Sequence, residues 1–200
     1  MTNHHVIDNS TEVRVIFEDG RMYEANIIGS DRLTDIGLVK IEASNLISIA
    51  IGNSDKMLVG DLAVAIGHPL TLGAAPTVTT GVVSALERRL DVGGDVMGNS
   101  VTLFGLIQTD APITRGSSGG ALINKNGELI GITTAIATAD VGAEGLGFAV
   151  PVNLALNIAE GLLKDGKILH AFLGILGAQH FDIAEAVSYT HLRAHETSLH

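Results

Sequence analysis

Short apolar runs separated by turn residues fill most of this chain. Val13, Val15 and Phe17 alternate with charged residues, and Asp19-Gly20 supplies a tight turn into a second run, so a β-hairpin is predicted. Further runs rich in β-branched or apolar residues predict strands at Ile36–Ile41, Leu62–Ile66, Val78–Ser84, Leu103–Thr109, Ala121–Asn124, Glu128–Thr134 and Gly147–Val150. Many short strands with turn signals predict an all-β antiparallel sandwich or barrel.

Helical spacing occurs late in the chain. After Pro151, apolar residues recur at Val152, Ala155, Leu156, Ala159 and Leu163. Proline suits the first helical turn, and Gly166 can end the helix in a left-handed cap. Asn126-Gly127 predicts a second hairpin, and two segments, Asp91–Ser100 and Ala137–Glu144, are predicted to be loops.

Composition narrows the class of protein. The chain has 200 residues, of which 46% are hydrophobic and 17% charged, enough apolar surface for a buried core. Its net charge of −10 argues against a nucleic-acid partner, because phosphate binding needs clustered Lys and Arg. No cysteine is present, so disulfides cannot stabilise the fold, and this leaves the cellular compartment open.

The run Gly116-Ser117-Ser118-Gly119-Gly120 is the first candidate for chemistry. Glycines allow consecutive backbone N–H groups to point at one spot, which makes the N–H groups of Gly116 and Ser118 candidate oxyanion donors. A Gly-Ser run also makes ordinary turns, so the string by itself decides little. Upstream, His5 and Asp35 complete the order His, Asp, Ser, one of three known orders of the serine-protease triad.

Four strings resemble successive motifs of the HtrA-type (Deg) serine proteases: TNHHVID (2–8), SDRLTDIGLVKI (30–41), QTDAPITRGSSGGALINKNGELIGI (108–132) and GLGFAVP (145–151). The resemblance covers nearly all of residues 2–175. It implies a chymotrypsin/trypsin-like double β-barrel with a C-terminal helix, in which the first barrel is incomplete. It also implies that His5 is the general base, Asp35 its orienting partner and Ser118 the nucleophile, with no metal or organic cofactor.

Neighbouring residues compete with these assignments. His4 precedes the family's histidine position and is expected to be a solvated bystander, and a metal site at the two histidines is disfavoured because adjacent residues on a strand face opposite ways. Asp31 and His68 are expected to serve turns. Relatives usually carry Asn or Asp where this chain has Ser117, and only the backbone there is expected to matter.

In the fold that the resemblance implies, residues a few positions before the nucleophile line the first substrate pocket. They are Pro112 and Ile113, which carry no charge, so cleavage after small or medium aliphatic residues is expected. The resemblance adds Ile136 as a pocket wall and Ile132-Thr133-Thr134 as an edge strand for an extended substrate. Core packing is the alternative for the apolar positions. The two Gly-rich segments match regulatory loops of the family, with tolerated surface insertions as the alternative.

Both ends of the chain depart from the family pattern. The family has strands ahead of its histidine, and these are expected to be missing, together with any signal peptide or membrane anchor. Residues 1–168 are expected to form the protease domain and 169–186 the start of a PDZ domain. Residues 187–200 resemble a translated sequencing adapter. As written, the chain is expected to have little protease activity, because a barrel without its leading strands exposes unpaired edges.

The resemblance implies a serine endopeptidase that hydrolyses unfolded or misfolded proteins, in the bacterial cell envelope, periplasmic or membrane-anchored, and as a homotrimer when intact. One alternative is a non-enzymatic, chaperone-like binder of unfolded polypeptides that uses the same cleft. Another is a structural β-domain with accidental motifs, in which His5, Asp35 and Ser118 would lie far apart.

Overall fold

A computed structural model describes residues 1–68, 75–92, 101–114, 116–134 and 146–171, together with the backbone of 175–181 and 188–194. It divides the chain into two compact units, Met1–Ile168 and Leu169–His200. In the second unit, two antiparallel strands pair with each other, Ile175–Phe181 and Ser188–Ala194. The first unit holds every predicted site residue that the structure describes.

A three-stranded antiparallel sheet begins the first unit. Its strands β1 (Val13–Ile16), β2 (Met22–Asp31) and β3 (Ile36–Ile41) lie in that order, after a one-turn helix, α1 (His4–Ile7). The predicted hairpin is confirmed: Ile16 of β1 pairs with Met22 of β2, and Gly20 in the turn has a φ of 85°.

A closed six-stranded barrel follows. Its strands are β4 (Leu62–Gly67), β5 (Thr77–Val92), β6 (Val101–Thr109), β7 (Ala121–Ile123), β8 (Leu129–Thr134) and β9 (Gly147–Pro151). Around the barrel the order is β4-β5-β6-β9-β8-β7, with antiparallel pairing throughout. The Asn126-Gly127 hairpin is confirmed, since it joins β7 to β8. Closure leaves no open edge among these strands.

The C-terminal helix, α2 (Val152–Asp165), is confirmed as well. Gly166 caps it with a φ of 69° and donates its N–H to the carbonyl of Leu162 at 2.9 Å. Pro151 is the N-cap residue and ends β9, one position earlier than the predicted first turn. None of the helices in the described part of the chain is long and apolar enough to cross a membrane.

Two apolar clusters form the core. One fills the barrel and includes Ala63, Val83, Ile107, Leu122 and Ile130. The other joins β3 to the barrel and to α2, and includes Ile36, Leu106, Val150, Ala155 and Leu162. Because the second cluster includes residues of the N-terminal sheet, the barrel and α2, it holds the sheet against the barrel. It therefore also holds Asp35 beside β8.

The N-terminal sheet packs closely against the end of α2 at Gly29, beside a bulge in β2. We predict that Gly29→Ala lowers the free energy of unfolding by about 1–3 kcal/mol, because the added Cβ would lie 2.7 Å from the Gly166 carbonyl oxygen and 3.0 Å from Leu162. Urea denaturation measures the change. Asn26→Ala, at an exposed position of the same strand, is the control; equal stability of both variants would contradict the prediction.

Candidate active site

Asp35 lies directly before β3, in a turn that another carboxylate organises. Asp31 accepts the N–H of Thr34 at 3.0 Å and also its hydroxyl, so the predicted turn role of Asp31 is confirmed. Asp35 itself has a φ of 56°, in the left-handed region that non-glycine residues seldom adopt. Such a conformation costs about 1–3 kcal/mol and persists only where the surroundings enforce it.

The carboxylate of Asp35 is buried, with 4% of the side chain exposed, and its hydrogen-bond donors among the described residues come from elsewhere in the chain. Its Oδ1 accepts the backbone N–H of His5 at 3.1 Å, and its Oδ2 accepts the hydroxyl of Thr134 at 3.1 Å. Both oxygens lie 2.9 Å from Nδ1 of His5. A carboxylate this buried is tolerated only with such donors.

The partnership with Asp35 determines the tautomer of His5. An ionised carboxylate can only accept hydrogen bonds, so Nδ1 carries the proton and Nε2 keeps a lone pair. The side chain is 35% exposed, which leaves the ring accessible beyond its buried contact. His5 is thus oriented as a general base would be.

The surroundings of His4 and His5 differ from the predicted strand end. Both residues belong to helix α1, where a single turn directs the two rings to different neighbours. The Nδ1 of His4 lies 2.8 Å from the hydroxyl of Ser30, and 18% of the His4 side chain is exposed. His4 is therefore a packed residue, and the prediction of a solvated bystander is wrong.

The loop that carries Ser118 is held by its own backbone. Ser117 donates its N–H to the Thr114 carbonyl at 2.9 Å, and Gly120 donates to the Ser117 carbonyl at 3.1 Å. Gly116 and Gly119 have φ values of 92° and 80°, which L side chains rarely adopt. This geometry directs the N–H groups of Ser117 and Gly120 into the loop itself.

Strand β8 fastens this loop to the acid. Thr133 accepts the Gly119 N–H with its carbonyl at 2.9 Å, and its hydroxyl donates to the Ser117 carbonyl. The next residue, Thr134, donates to Asp35. Two consecutive threonines thus connect the Ser118 loop and the Asp35 carboxylate through one short piece of strand.

The loop also contacts the segment that carries His5. A Cβ at Gly119 would collide with the Thr2 hydroxyl and lie 3.3 Å from the backbone nitrogen of Asn3. The structure therefore joins His5 and Asp35 by hydrogen bonds and places the residue after Ser118 against the residues just before His5. Hydrogen bonds join Asp35 to His5 across 30 residues and to Thr134 across 99 residues. The interpretation of the chain as a β-domain whose motifs are accidental and lie far apart is therefore disfavoured.

The predicted substrate residues have varied surroundings. Ile113 is 8% exposed and belongs to the barrel core cluster, where it packs against Gly147. Its segment is fastened to β5: the Thr79 hydroxyl donates to the Pro112 carbonyl at 2.8 Å, and Asp110 accepts the Val82 N–H at 2.7 Å. Ile113 is thus a packed part of the barrel, fastened to β5 through its neighbours.

The prediction of an edge strand at Ile132-Thr133-Thr134 is wrong for the first two residues. Ile132 pairs with Ala121 on β7 and Val150 on β9, and Thr133 exchanges backbone hydrogen bonds with Gly119 and Gly120. Barrel closure occupies both sides of the strand there. Ile136 lies outside the described residues, as do all of Ala137–Glu144 and residues 93–100 of the predicted loop Asp91–Ser100.

The sequence analysis did not identify Asn3 as a residue of the site, and it assigned Thr134 a different role. Thr134 was predicted to contact substrate, yet its hydroxyl supports Asp35, and Asn3 bonds the Asp35 backbone. A threonine on a buried strand and an asparagine beside a histidine carry no local signal of these partners. Only the approach of β8 and α1 to Asp35 reveals them.

Comparison with known proteins gives a consistent result. Residues 1–132 match the family described as "Trypsin-like peptidase domain". The Escherichia coli K12 protein named "Periplasmic pH-dependent serine endoprotease DegQ" is 48% identical over 188 residues, 93% of this chain and 39% of that protein. A Haemophilus influenzae protein named "Probable periplasmic serine protease do/HhoA-like" is 47% identical over 188 residues, with the same shares.

Among solved structures, "HtrA-type protease AlgW with decapeptide" superposes with a TM-score of 0.77 at 38% identity, covering 90% of this chain and 53% of that one. The chain spans 39% of the length of the two curated relatives named above. A closed antiparallel barrel, the buried Asp35–His5 pair and the match over residues 1–132 agree with one another. The chain therefore belongs to the trypsin-like peptidase family, and within it to the HtrA-type (Deg) serine proteases.

Proposed function

We propose that this chain carries the catalytic centre of a serine endopeptidase. The observation that supports this most directly is the hydrogen bonding of His5 Nδ1 to both oxygens of the buried Asp35 carboxylate, 2.9 Å each. That contact leaves Nε2 of His5 available as a base. The His5 segment lies beside the Ser118 loop, in which Gly116 and Gly119 have positive φ values. Ser118 is the serine of that loop that we assign as the nucleophile.

The reaction follows from these roles. Ser118 Oγ attacks the scissile carbonyl while His5 Nε2 takes its proton, and the N–H groups of Gly116 and Ser118 hold the oxyanion. His5 then gives the proton to the leaving amine, and an acyl-enzyme forms. Water, deprotonated by His5, hydrolyses the ester and regenerates Ser118. Asp35 keeps the imidazole in one tautomer throughout and stabilises its cation.

An endopeptidase fits better than a chaperone-like binder. A binder needs a cleft but has no use for a buried carboxylate that fixes the tautomer of a histidine, which costs desolvation energy. The relatives named above are also called serine proteases or endoproteases. Turnover and its loss in a nucleophile variant separate the two functions.

For the substrate, we propose unfolded or misfolded polypeptides cleaved after small or medium aliphatic residues. The name of the AlgW structure includes a decapeptide, which is consistent with a polypeptide substrate. Pro112 and Ile113 bring no charge to the predicted pocket, and the Ile113 side chain is part of an apolar cluster. A buried Lys or Arg side chain would lack a partner there.

We further propose the assignment of the remaining parts of the chain. Residues 1–168 are the protease domain, Leu169–Ala186 the start of a PDZ domain and 187–200 a segment without function; the two compact units divide after Ile168. The bacterial cell envelope is the proposed location, since the relatives' names call them periplasmic. We propose that the intact protein is a homotrimer that is either periplasmic or membrane-anchored, and that it has no nucleic-acid partner, since the net charge of −10 disfavours phosphate binding.

Two adjacent serines provide a matched test of the nucleophile. We predict that Ser118→Ala lowers kcat/KM by about three orders of magnitude or more, whereas Ser117→Ala stays within about tenfold of the parent, because only Ser118 is assigned to attack the carbonyl. Casein turnover is measured in the chain extended by the N-terminal segment of the Escherichia coli relative. Labelling by a fluorophosphonate, located by mass spectrometry, is measured in the 200-residue chain.

Labelling at Ser117, or equal turnover by the two variants, would contradict the assignment of Ser118. Equal binding of unfolded casein without turnover in any variant would favour the chaperone-like alternative.

The role of Ile113 is tested against another isoleucine of the same core cluster. We predict that Ile113→Ala raises kcat/KM for substrates with Phe, relative to Val, before the scissile bond by about tenfold or more, because the pocket gains volume. Ile130 is fully buried in the same cluster. Ile113→Ala and Ile130→Ala should each lower the free energy of unfolding by about 2–5 kcal/mol, but Ile130→Ala should leave the preference between Phe and Val unchanged. The same preference in both variants would place Ile113 in the core only.

A further inference from the structure

Asn3 is a fully buried polar residue near the site, with 0% of its surface exposed. Its side-chain Nδ2 donates to the main-chain carbonyl oxygen of Asp35 at 3.0 Å. The backbone N–H of His4 donates to the same oxygen at 3.1 Å. Two donors from adjacent residues thus hold the carbonyl of the residue whose carboxylate orients His5.

The orientation of the Asn3 amide follows from this contact. A flipped amide would place Oδ1 against the Asp35 carbonyl oxygen, so that two acceptors would face each other. With Nδ2 toward Asp35, Oδ1 has no hydrogen-bond partner among the described residues. Asn3 therefore keeps the hydrogen bond from Nδ2 to Asp35, while its Oδ1 is buried without a donor among the described residues.

A buried acceptor without a partner destabilises a fold, and an apolar side chain of similar volume would remove that penalty. Among the described residues, the side-chain amide of Asn3 makes one hydrogen bond, the one to Asp35. The bond to Asp35, however, acts on a strained residue: with its φ of 56°, Asp35 adopts a conformation that its neighbours must enforce. Fixing its carbonyl fixes the turn from which the carboxylate projects.

The same residue borders the nucleophile loop. A Cβ at Gly119 would lie 3.3 Å from the backbone nitrogen of Asn3, so the main chain of Asn3 packs against the residue after Ser118. Asn3 consequently lies where the segments of the acid, the base and the nucleophile meet. A displacement there alters the alignment of His5 with both of its partners.

We propose that Asn3 is a positioning residue of the catalytic centre: its amide holds Asp35 in the left-handed conformation that directs both carboxylate oxygens at His5 Nδ1. The inference rests on the proposed endopeptidase function. It goes beyond that function because it assigns catalytic alignment, rather than stability, to a side chain that touches neither substrate nor His5 Nδ1.

The test uses Asn3→Leu and Asn3→Ala in the 200-residue chain. Three quantities are measured: the second-order rate of Ser118 labelling by a fluorophosphonate, the proton resonance of His5 Nδ1–H, and stability in urea. We expect both variants to react about tenfold to a hundredfold more slowly, since small misplacements of reacting groups cost rates of this order. We also expect the Nδ1 proton to move upfield, while Asn3→Leu is at least as stable as the parent.

Ser54→Ala is the matched control. Ser54 is also buried, at 7% exposure, and its hydroxyl accepts a backbone N–H from Asn153 at 3.2 Å, away from the site. This variant should lose stability while its labelling rate and the His5 resonance match those of the parent. If Asn3→Leu does not fold, Asn3→Ala is compared with Ser54→Ala, and a slower reaction in the former alone supports the proposal.

The positioning role is overturned if the His5 resonance is unchanged in the Asn3 variants, or if they are labelled at the parental rate. The endopeptidase proposal still stands in that case, provided that Ser118 is labelled in the parent. Absence of Ser118 labelling both in the parent and in the chain extended by the N-terminal segment of the Escherichia coli relative overturns the endopeptidase proposal instead. In that case a shift of the His5 resonance in the Asn3 variants, without one in Ser54→Ala, still supports the alignment of Asp35 by Asn3.

Discussion

The burial of one carboxylate, that of Asp35, constrains the rest of the structure. A charged group with 4% of its side chain exposed is tolerable only when donors surround it, and no donor in its own turn reaches it among the contacts described. They come from His5, 30 residues earlier, and Thr134, 99 residues later. Satisfying this group therefore requires α1, β3 and β8 to meet, and their meeting creates the proposed active site.

The closed barrel holds strand β8, which contacts both the Ser118 loop and Asp35. Strand β8 pairs with β7 as far as Ile132 and with β9 through Thr134, and Thr133 also exchanges backbone hydrogen bonds with Gly119 and Gly120. Thr133 holds the loop of Ser118 and Thr134 holds Asp35, which ties the two sets of reacting groups to one rigid element. Preorganisation of this kind is what enzymes require, because donors that are already in place need no rearrangement during the reaction.

Stability and specificity share residues in this fold. Ile113 belongs to the barrel core and is also the proposed wall of the substrate pocket, and its segment is fastened to β5 through Asp110 and Pro112. The proposed pocket is therefore defined by packed, buried side chains. A change of substrate preference at this position involves a loss of core packing.

By itself, the sequence determined what short-range patterns can specify: the strands, the two hairpins, the C-terminal helix with its Gly166 cap, and the turn made by Asp31. Motif order also pointed to His5, Asp35 and Ser118, because a nucleophile, a base and an acid each need a particular residue type. Tertiary structure alone decided that His4 packs on Ser30, that Ile132 and Thr133 lie inside the barrel, and that Thr134 and Asn3 support Asp35. These outcomes depend on contacts between residues that are far apart in the chain, and local periodicity contains no information about which distant backbone or carboxylate a buried polar side chain will meet.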